Sequence, residues 1–361
     1  MTKFSSVFIF LLIALKLSAN DGAYYSGGST FYPLKEGKIS MDKEILSFKV
    51  INKQCYVTIH FEFFNPENVS RKILVGFQAP QAAGDVKEEE IKFPQIFDFK
   101  VSQDSRLLPF QLKTAECEDC PLKEEQTISS HQAGSGIFVY LFEIEFRPGI
   151  TSIDHSYRFR SGSSVMTDQL YPYILKTGAK WAGGTIKDLT VNIDMGNDSY
   201  FYVSDIFGKE ANWSVLGIGK TTSSVYNNYE VDCKMIRILS GHLQIHCTNW
   251  NPQQNLEFGI IKPHCYEFAV YPKTLNRIMT AVNSLNVENL EDKIPYTKEE
   301  LKFIRNTFFA QKGYVFSNSE LSTYFSKFEW YIPNPNLKMS EIQFDTDVKL
   351  FIEEIQKKEK Q

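Results

Sequence analysis

The sequence predicts a mainly β protein: one or two β-sandwich domains followed by a small α-helical C-terminal module. Three observations carry this. Short runs alternate apolar and polar residues from Ile39 to about Pro272, with turn signals between them. Past Pro272 the apolar period becomes helical. From Thr297 onward, helix start and stop signals come in pairs.

Residues 1–19 read as a secretory signal peptide. Lys3 gives the positive start, Val7 to Leu15 the apolar core, and Leu17-Ser18-Ala19 a small-residue cleavage site. The apolar core is too short to span a membrane, and no later run reaches the length a span needs. A secreted or periplasmic location is the expectation. Removing residues 1–19 takes away two lysines and no acids, so the formal net charge moves from −4 to −6. A mildly acidic chain without a basic block argues against nucleic acid as partner.

Residues 20–160 form the first β region. After a Gly/Ser/Tyr-rich leader, Cys55, Val57, Ile59, Phe61 and Phe63 alternate with Tyr56, Thr58, His60 and Glu62. Asn65-Pro66-Glu67-Asn68 is a turn, Ile73, Val75 and Phe77 mark the next strand, and Ile137 to Phe146 is the most hydrophobic one. Residues 161–272 are a second β region or a continuation of the same sandwich. There Leu189, Val191, Ile193 and Met195 alternate. Residues 273–338 should be helical. Leu275, Ile278, Met279 and Val282 fit an amphipathic helix. Thr297 with Glu300 is a capping box, Leu301, Ile304 and Phe308 follow at helical spacing, and Gly313 suits a left-handed C-cap. Ser317 with Glu320 reads as a second box. In the tail, 339–361, Val348, Phe351, Ile352 and Ile355 mark a last helix.

Six cysteines in an exported chain suggest disulfides. Tyr229 to Asn249 reads as two strands joined by a Leu239-Ser240-Gly241 loop. That register sets Cys233 opposite Cys247 and predicts a bridge between them. Cys117 and Cys120 would close a small local loop, and elimination leaves Cys55 with Cys265.

Motifs of catalysis are weighed and set aside. Gly217-Ile218-Gly219-Lys220-Thr221 lacks both the leading glycine of a phosphate loop and a following helix. Cys117-Glu118-Asp119-Cys120 lies among acids, which disfavours a reactive thiolate. His242, His246, His264 and Cys265 are the best metal candidates but show no ligand-spacing motif, so no metal and no cofactor is expected. Glu143 and Glu145 share a strand face of ordinary alternation. Aromatic residues are 14% of the chain, and Tyr24-Tyr25, Tyr171, Tyr173 and Trp330-Tyr331 are candidates for stacking on a sugar or peptide.

The segment from Leu301 to Tyr331 resembles the YARHG family, a small module of secreted bacterial proteins. The matching residues are Arg305-Asn306, Phe309-Ala310, Gly313-Tyr314-Val315-Phe316, Tyr324-Phe325 and Trp330-Tyr331. The Arg and His of the family motif are Gln311 and Lys312 here, so chemistry at those positions is not expected. The N-terminal two thirds is also similar to a family of exported bacterial proteins of unknown function. That similarity lies in Asn20-Asp21-Gly22, Phe63-Phe64-Asn65-Pro66, Thr177-Gly178-Ala179-Lys180-Trp181 and Asn249-Trp250-Asn251-Pro252. It implies a β fold and no activity.

The expected function is therefore non-enzymatic binding or scaffolding in the cell envelope or extracellular space. The expected partner is an envelope polysaccharide, peptidoglycan or a protein. Arg305, Asn306, Trp330 and Tyr331 are the candidate recognition surface. The alternative is a hydrolase whose carboxylate pair is assembled by folding.

Overall fold

The computed structural model describes residues 20–27, 30–34, 36–80, 93–115, 137–164, 166–208, 211–228, 231–261, 273–287, 294–328 and 330–361. The signal peptide, Cys117, Cys120, His264 and Cys265 lie outside them. The strands are β1 (Asn20–Gly27), β2 (Thr30–Leu34), β3 (Ser40–Ile51), β4 (Gln54–Asn65), β5 (Arg71–Pro80), β6 (Ile96–Gln103), β7 (Arg106–Leu107) and β8 (Gln111–Ala115). They continue as β9 (Ile137–Phe146), β10 (Gly149–Arg160), β11 (Thr167–Tyr173), β12 (Ile186–Asp194), β13 (Ser199–Ser204), β14 (Ser214–Asn228), β15 (Val231–Trp250) and β16 (Leu256–Ile261). Four helices follow: α1 (Lys273–Ser284), α2 (Lys298–Gln311), α3 (Ser319–Phe325) and α4 (Thr346–Glu359).

Among the described residues the strands form two sheets. One is antiparallel, in the order β2-β1-β5-β9-β8. The other runs β11-β16-β13-β15-β12-β3-β4-β10-β6-β7, with β14 on the far side of β15. The smaller sheet covers β10 and β6: Phe77 of β5 packs on Tyr157 of β10 at 5.2 Å and stacks on Phe99 of β6 at 5.0 Å. The larger sheet doubles back on itself, so that Phe48 of β3 meets Phe258 of β16 at 5.0 Å and Tyr173 of β11 at 5.5 Å. One buried apolar cluster runs from Ile39 to Phe258, across both β regions. The mainly β class with a helical C-terminal module is what forms.

β15 differs from expectation. The chain does not turn at Leu239-Ser240-Gly241; it continues as one strand of 20 residues, paired with β14 from Val231 to Gln244. Gly241 (φ +96°) faces Gly217 (φ +139°), and the β14–β15 register shifts just beyond, between Ile218 and Gly219, leaving Leu239 as the extra residue of β15. A Cβ on Gly241 would lie 2.0 Å from the Leu216 carbonyl oxygen, so the two backbones meet where no side chain fits. Leu239, two residues before this contact, is a bulge, which bends a strand and re-aims its side chains. Before it, Ile236 and Ile238 face the large core; after it, Leu243, Ile245 and Cys247 do. Even positions give way to odd ones. Cys233 and Cys247 therefore lie 14 residues apart on one strand, about 45 Å if straight. A disulfide needs Cα atoms within about 7 Å. They also belong to different buried clusters. The predicted bridge is ruled out, and so is the hairpin behind it. Cys55 is a buried free thiol in β4.

Two titratable groups sit in the β core. Glu44 on β3 is fully buried and accepts one bond, from the Tyr173 hydroxyl at 3.1 Å. Burial pushes its carboxyl from 4.5 up to about 8, against the smaller lowering effect of that bond. His155 on β10 is enclosed edge-on by Phe61, Phe77, Phe99 and Phe142, at 5.2–5.6 Å between ring centres. Burial among these rings lowers its pKa from 6.5 to about 3.

The signs are opposite. Between pH 3 and 6.5 the unfolded chain protonates His155 while the folded one does not, so stability falls as pH drops through that window. Between pH 4.5 and 8 the unfolded chain ionises Glu44 while the folded one holds the proton, so stability falls as pH rises. Urea midpoints measured against pH should show Glu44→Gln flattening the alkaline limb and His155→Phe flattening the acid limb. Each limb should span a few kcal/mol. Limbs unchanged by these substitutions would show that other groups set the profile.

Candidate functional site

The helical module begins as the sequence suggests. Thr297 Oγ1 accepts from the Glu300 backbone N at 3.2 Å, and Glu300 accepts from the Thr297 N at 2.7 Å. Helix α2 ends at Gly313, whose φ is +86° and whose Cβ would clash with the Ile332 carbonyl oxygen at 2.8 Å. The next helix starts one residue later than expected. Asn318, not Ser317, is the cap, and its side chain accepts from the Leu321 N at 3.0 Å. Leu301, Ile304, Phe308, Phe325, Phe351 and Ile355 then share a second buried cluster, separate from the β core.

The residues expected to form an open recognition surface do not. Arg305 pairs with Glu359 at 3.0 Å and ties α2 to α4. Asn306 is buried, and its amide donates to the Lys302 carbonyl at 2.7 Å. Tyr331 is buried with its hydroxyl on the Tyr314 carbonyl at 2.9 Å. Trp330 is 5% exposed and stacks on Phe328 at 5.3 Å. A module this small buries its aromatics to have a core at all. Tyr171 and Tyr173 are likewise buried in the β core.

The two positions that depart from the family motif are the ones that meet the β sheet. Arg237 of β15 is buried and has acceptors on both sides of the seam. Its Nη1 donates to the Ser199 and Ile238 carbonyls at 3.0 and 3.1 Å. Its Nη2 donates to Asp198 Oδ1 at 2.5 Å and to the Gln311 carbonyl at the end of α2. That carbonyl belongs to the negative end of the helix dipole, where a cation is favourable. Lys312, the C-cap of α2, binds the other oxygen of Asp198. Sequence reading found Gln311 and Lys312 only as departures. Their partner Arg237 carried no signal beyond being a charge on a strand.

Between these surfaces lies a cavity of about 510 Å³. Met235, Ile260 and Ile261 line it from the sheet; Met279, Val282, Phe308, Trp330, Phe344 and Val348 line it from the module. Asp198, Arg237, Lys312, Gln343 and Asp345 add polar groups. The Trp330 indole Nε1 is buried without a hydrogen-bond partner among the described residues. Asp345 precedes α4 but makes no side-chain capping bond to it.

A second cavity, about 540 Å³, lies at the end of the sandwich and is lined by Glu36, Trp181, Gly183, Gly184, Asn251 and Gln253. Three of the four short motifs of the second resemblance, those around Phe63, Trp181 and Asn251, converge there. Trp181 packs on Phe63 at 4.5 Å, and Gly178 leaves no room for a Cβ beside Ile186 and Pro252. Their role visible in the fold is packing.

Other candidates are accounted for locally. Gly217 to Thr221 lies within β14. His246 pairs with Asp188 at 2.9 Å on an exposed face, and Glu143 pairs with Lys72 at 3.1 Å. Among the described residues no group of three or more His, Cys, Asp or Glu is arranged to hold a metal ion, and no helix is long and apolar enough to cross a membrane.

Residues 279–360 match the YARHG domain, so such a domain is present at the C-terminus. No curated protein matches the chain. Among solved structures, a Legionella pneumophila protein provisionally described as a nutrient binding protein is 19% identical, with 93% of this chain and 99% of that one covered and a TM-score of 0.47. An M1 zinc metallopeptidase from Deinococcus radiodurans, bound to a Tyr-Ser-Ala substrate, is 9% identical, with 59% of this chain and 43% of that one covered and a TM-score of 0.23. Likenesses at this level carry no argument about activity.

Gly313→Ala tests how tightly the end of α2 is seated. A Cβ there meets the Ile332 carbonyl and, at 3.2 Å, Leu239 of β15. Thermal or urea unfolding should show a loss of about 1–3 kcal/mol. A neutral substitution would mean that the cap relaxes freely.

Proposed function

We propose that the chain is an exported, non-catalytic binding protein that holds a small, partly apolar ligand in the cavity between the β sheet and the YARHG domain. The observation that carries this is the cavity itself. Its apolar walls come from both parts, and its charged groups gather at the seam. Ligand sites favour such interfaces, with mostly apolar linings and a few placed polar groups. Met235 and Met279 add adaptable, polarisable surface. Export rests on the N-terminal pattern of Lys3, Val7 to Leu15 and Ala19. An envelope polysaccharide, peptidoglycan or protein partner would have to present a group small enough for this cavity, because the aromatic pair expected at the surface is buried.

The hydrolase reading is less supported. Asp198 and Asp345 line the same cavity, but both oxygens of Asp198 already accept from Arg237 and Lys312. Both carboxylate oxygens are thus engaged within the protein rather than turned to a substrate.

The environment-sensitive dye 1-anilinonaphthalene-8-sulfonate tests the cavity in the full chain. Saturable one-to-one binding is expected, lost in Val282→Trp and reduced in Met279→Phe, with circular dichroism unchanged. Binding that survives both substitutions would place the dye elsewhere and remove the support for this reading.

A further inference from the structure

The geometry points to an apolar monocarboxylate, with a medium-chain fatty acid as its simplest member, as the ligand of the seam cavity. The inference rests on the binding reading above and adds the chemical class. Two features of the lining carry it: the atoms that form the walls, and the balance of charge at the seam.

The walls are apolar on both sides. Met235, Ile260 and Ile261 come from the sheet, and Met279, Val282 and Val348 from the module. A ligand body against them is stabilised in proportion to the apolar area it removes from water. A sugar ring would set hydroxyls against the same walls and lose their hydrogen bonds to water. At the seam, two cations share one carboxylate. Asp198 Oδ1 accepts from Arg237, and Oδ2 accepts from Lys312. The Gln311 carbonyl adds about half a negative charge from the end of α2. The cluster therefore stays positive and has the charge to hold one further anion. Arg237 cannot receive it, because its two Nη atoms already serve four acceptors. Lys312 can. Its ammonium has donors beyond the one given to Asp198, and its side chain is 35% exposed. A carboxylate meeting it there stays partly hydrated, so the pairing avoids the full cost of burying a charge. Asp345 also lines the cavity, but it is exposed and stands at the start of α4, where solvent and the helix end both offset its charge. One anionic group on an apolar body is what this lining accommodates. The volume, about 510 Å³, lies within the range of small-ligand sites.

Displacement of 1-anilinonaphthalene-8-sulfonate from the full chain, together with titration calorimetry, tests the assignment with hexanoate, octanoate, decanoate, 1-decanol and decylamine. Decanoate should displace the dye one-to-one and bind ~10-fold more tightly than the alcohol or the amine. Each methylene added from hexanoate to decanoate should tighten binding by about 4-fold. Lys312→Gln should weaken decanoate by ~10-fold and leave 1-decanol unchanged, and Lys312→Arg should restore decanoate. A purely structural role for Lys312 would weaken acid and alcohol alike and would overturn the assignment. So would 1-decanol or decylamine binding as tightly as decanoate. If decanoate fails to displace a dye whose binding is sensitive to Val282→Trp, the carboxylate class falls and the cavity reading stands. If neither binds, both fall.

Discussion

A buried guanidinium fixes how the two parts of this protein meet. Arg237 is almost wholly removed from water, and an isolated charge in that position would cost several kcal/mol. It is tolerable because its acceptors are in place: Asp198 and Ser199 at the start of β13, Ile238 on its own strand and Gln311 at the end of α2. These come from separate elements, so satisfying one cation aligns a strand, a turn and a helix terminus. Asp198 adopts a left-handed backbone (φ +57°), which Asp tolerates better than most residues, and there takes both Arg237 and Lys312.

Arg237 reaches that position because of the bulge in β15. Without it, a straight strand would keep one parity toward the large core along its whole length. The extra residue Leu239, beside the close approach of Gly217 and Gly241, breaks the parity. The N-terminal half of β15 then has Ile236 and Ile238 on the sandwich side and Met235 and Arg237 on the other. That second face receives the helical domain. The seam and its cavity follow from that one extra residue in β15.

Local features were legible in the sequence and nonlocal ones were not. The capping box at Thr297, the left-handed Gly313 and the period-two alternation of β4 depend on neighbours a few residues away, and all three form. Gly241 shows the limit. A glycine between two alternating runs is compatible with a turn or with a bulge, and only the pairing partner decides. Here the partner is β14, whose own glycine faces it. The Cys233–Cys247 pairing requires that turn and is lost with it. Burial of Asn306, Trp330 and Tyr331, and the pairing of Arg305 with Glu359, were illegible for a related reason. Their aromatic and charged character fits a recognition surface and a small core equally well, until α4 is docked and Glu359 meets Arg305. The seam residues were invisible because Arg237 and Asp198 lie 39 positions apart, and Arg237 and Gln311 lie 74 apart.

Arg237 couples the sheet to the end of α2. Hydrogen–deuterium exchange on the full chain carrying Arg237→Met tests it most directly. Faster exchange is expected both at β13, around Asp198 to Phe201, and at the end of α2, around Phe309 to Gly313, while β3, β4 and β10 stay protected. Faster exchange confined to one side of the seam, or none, would contradict it.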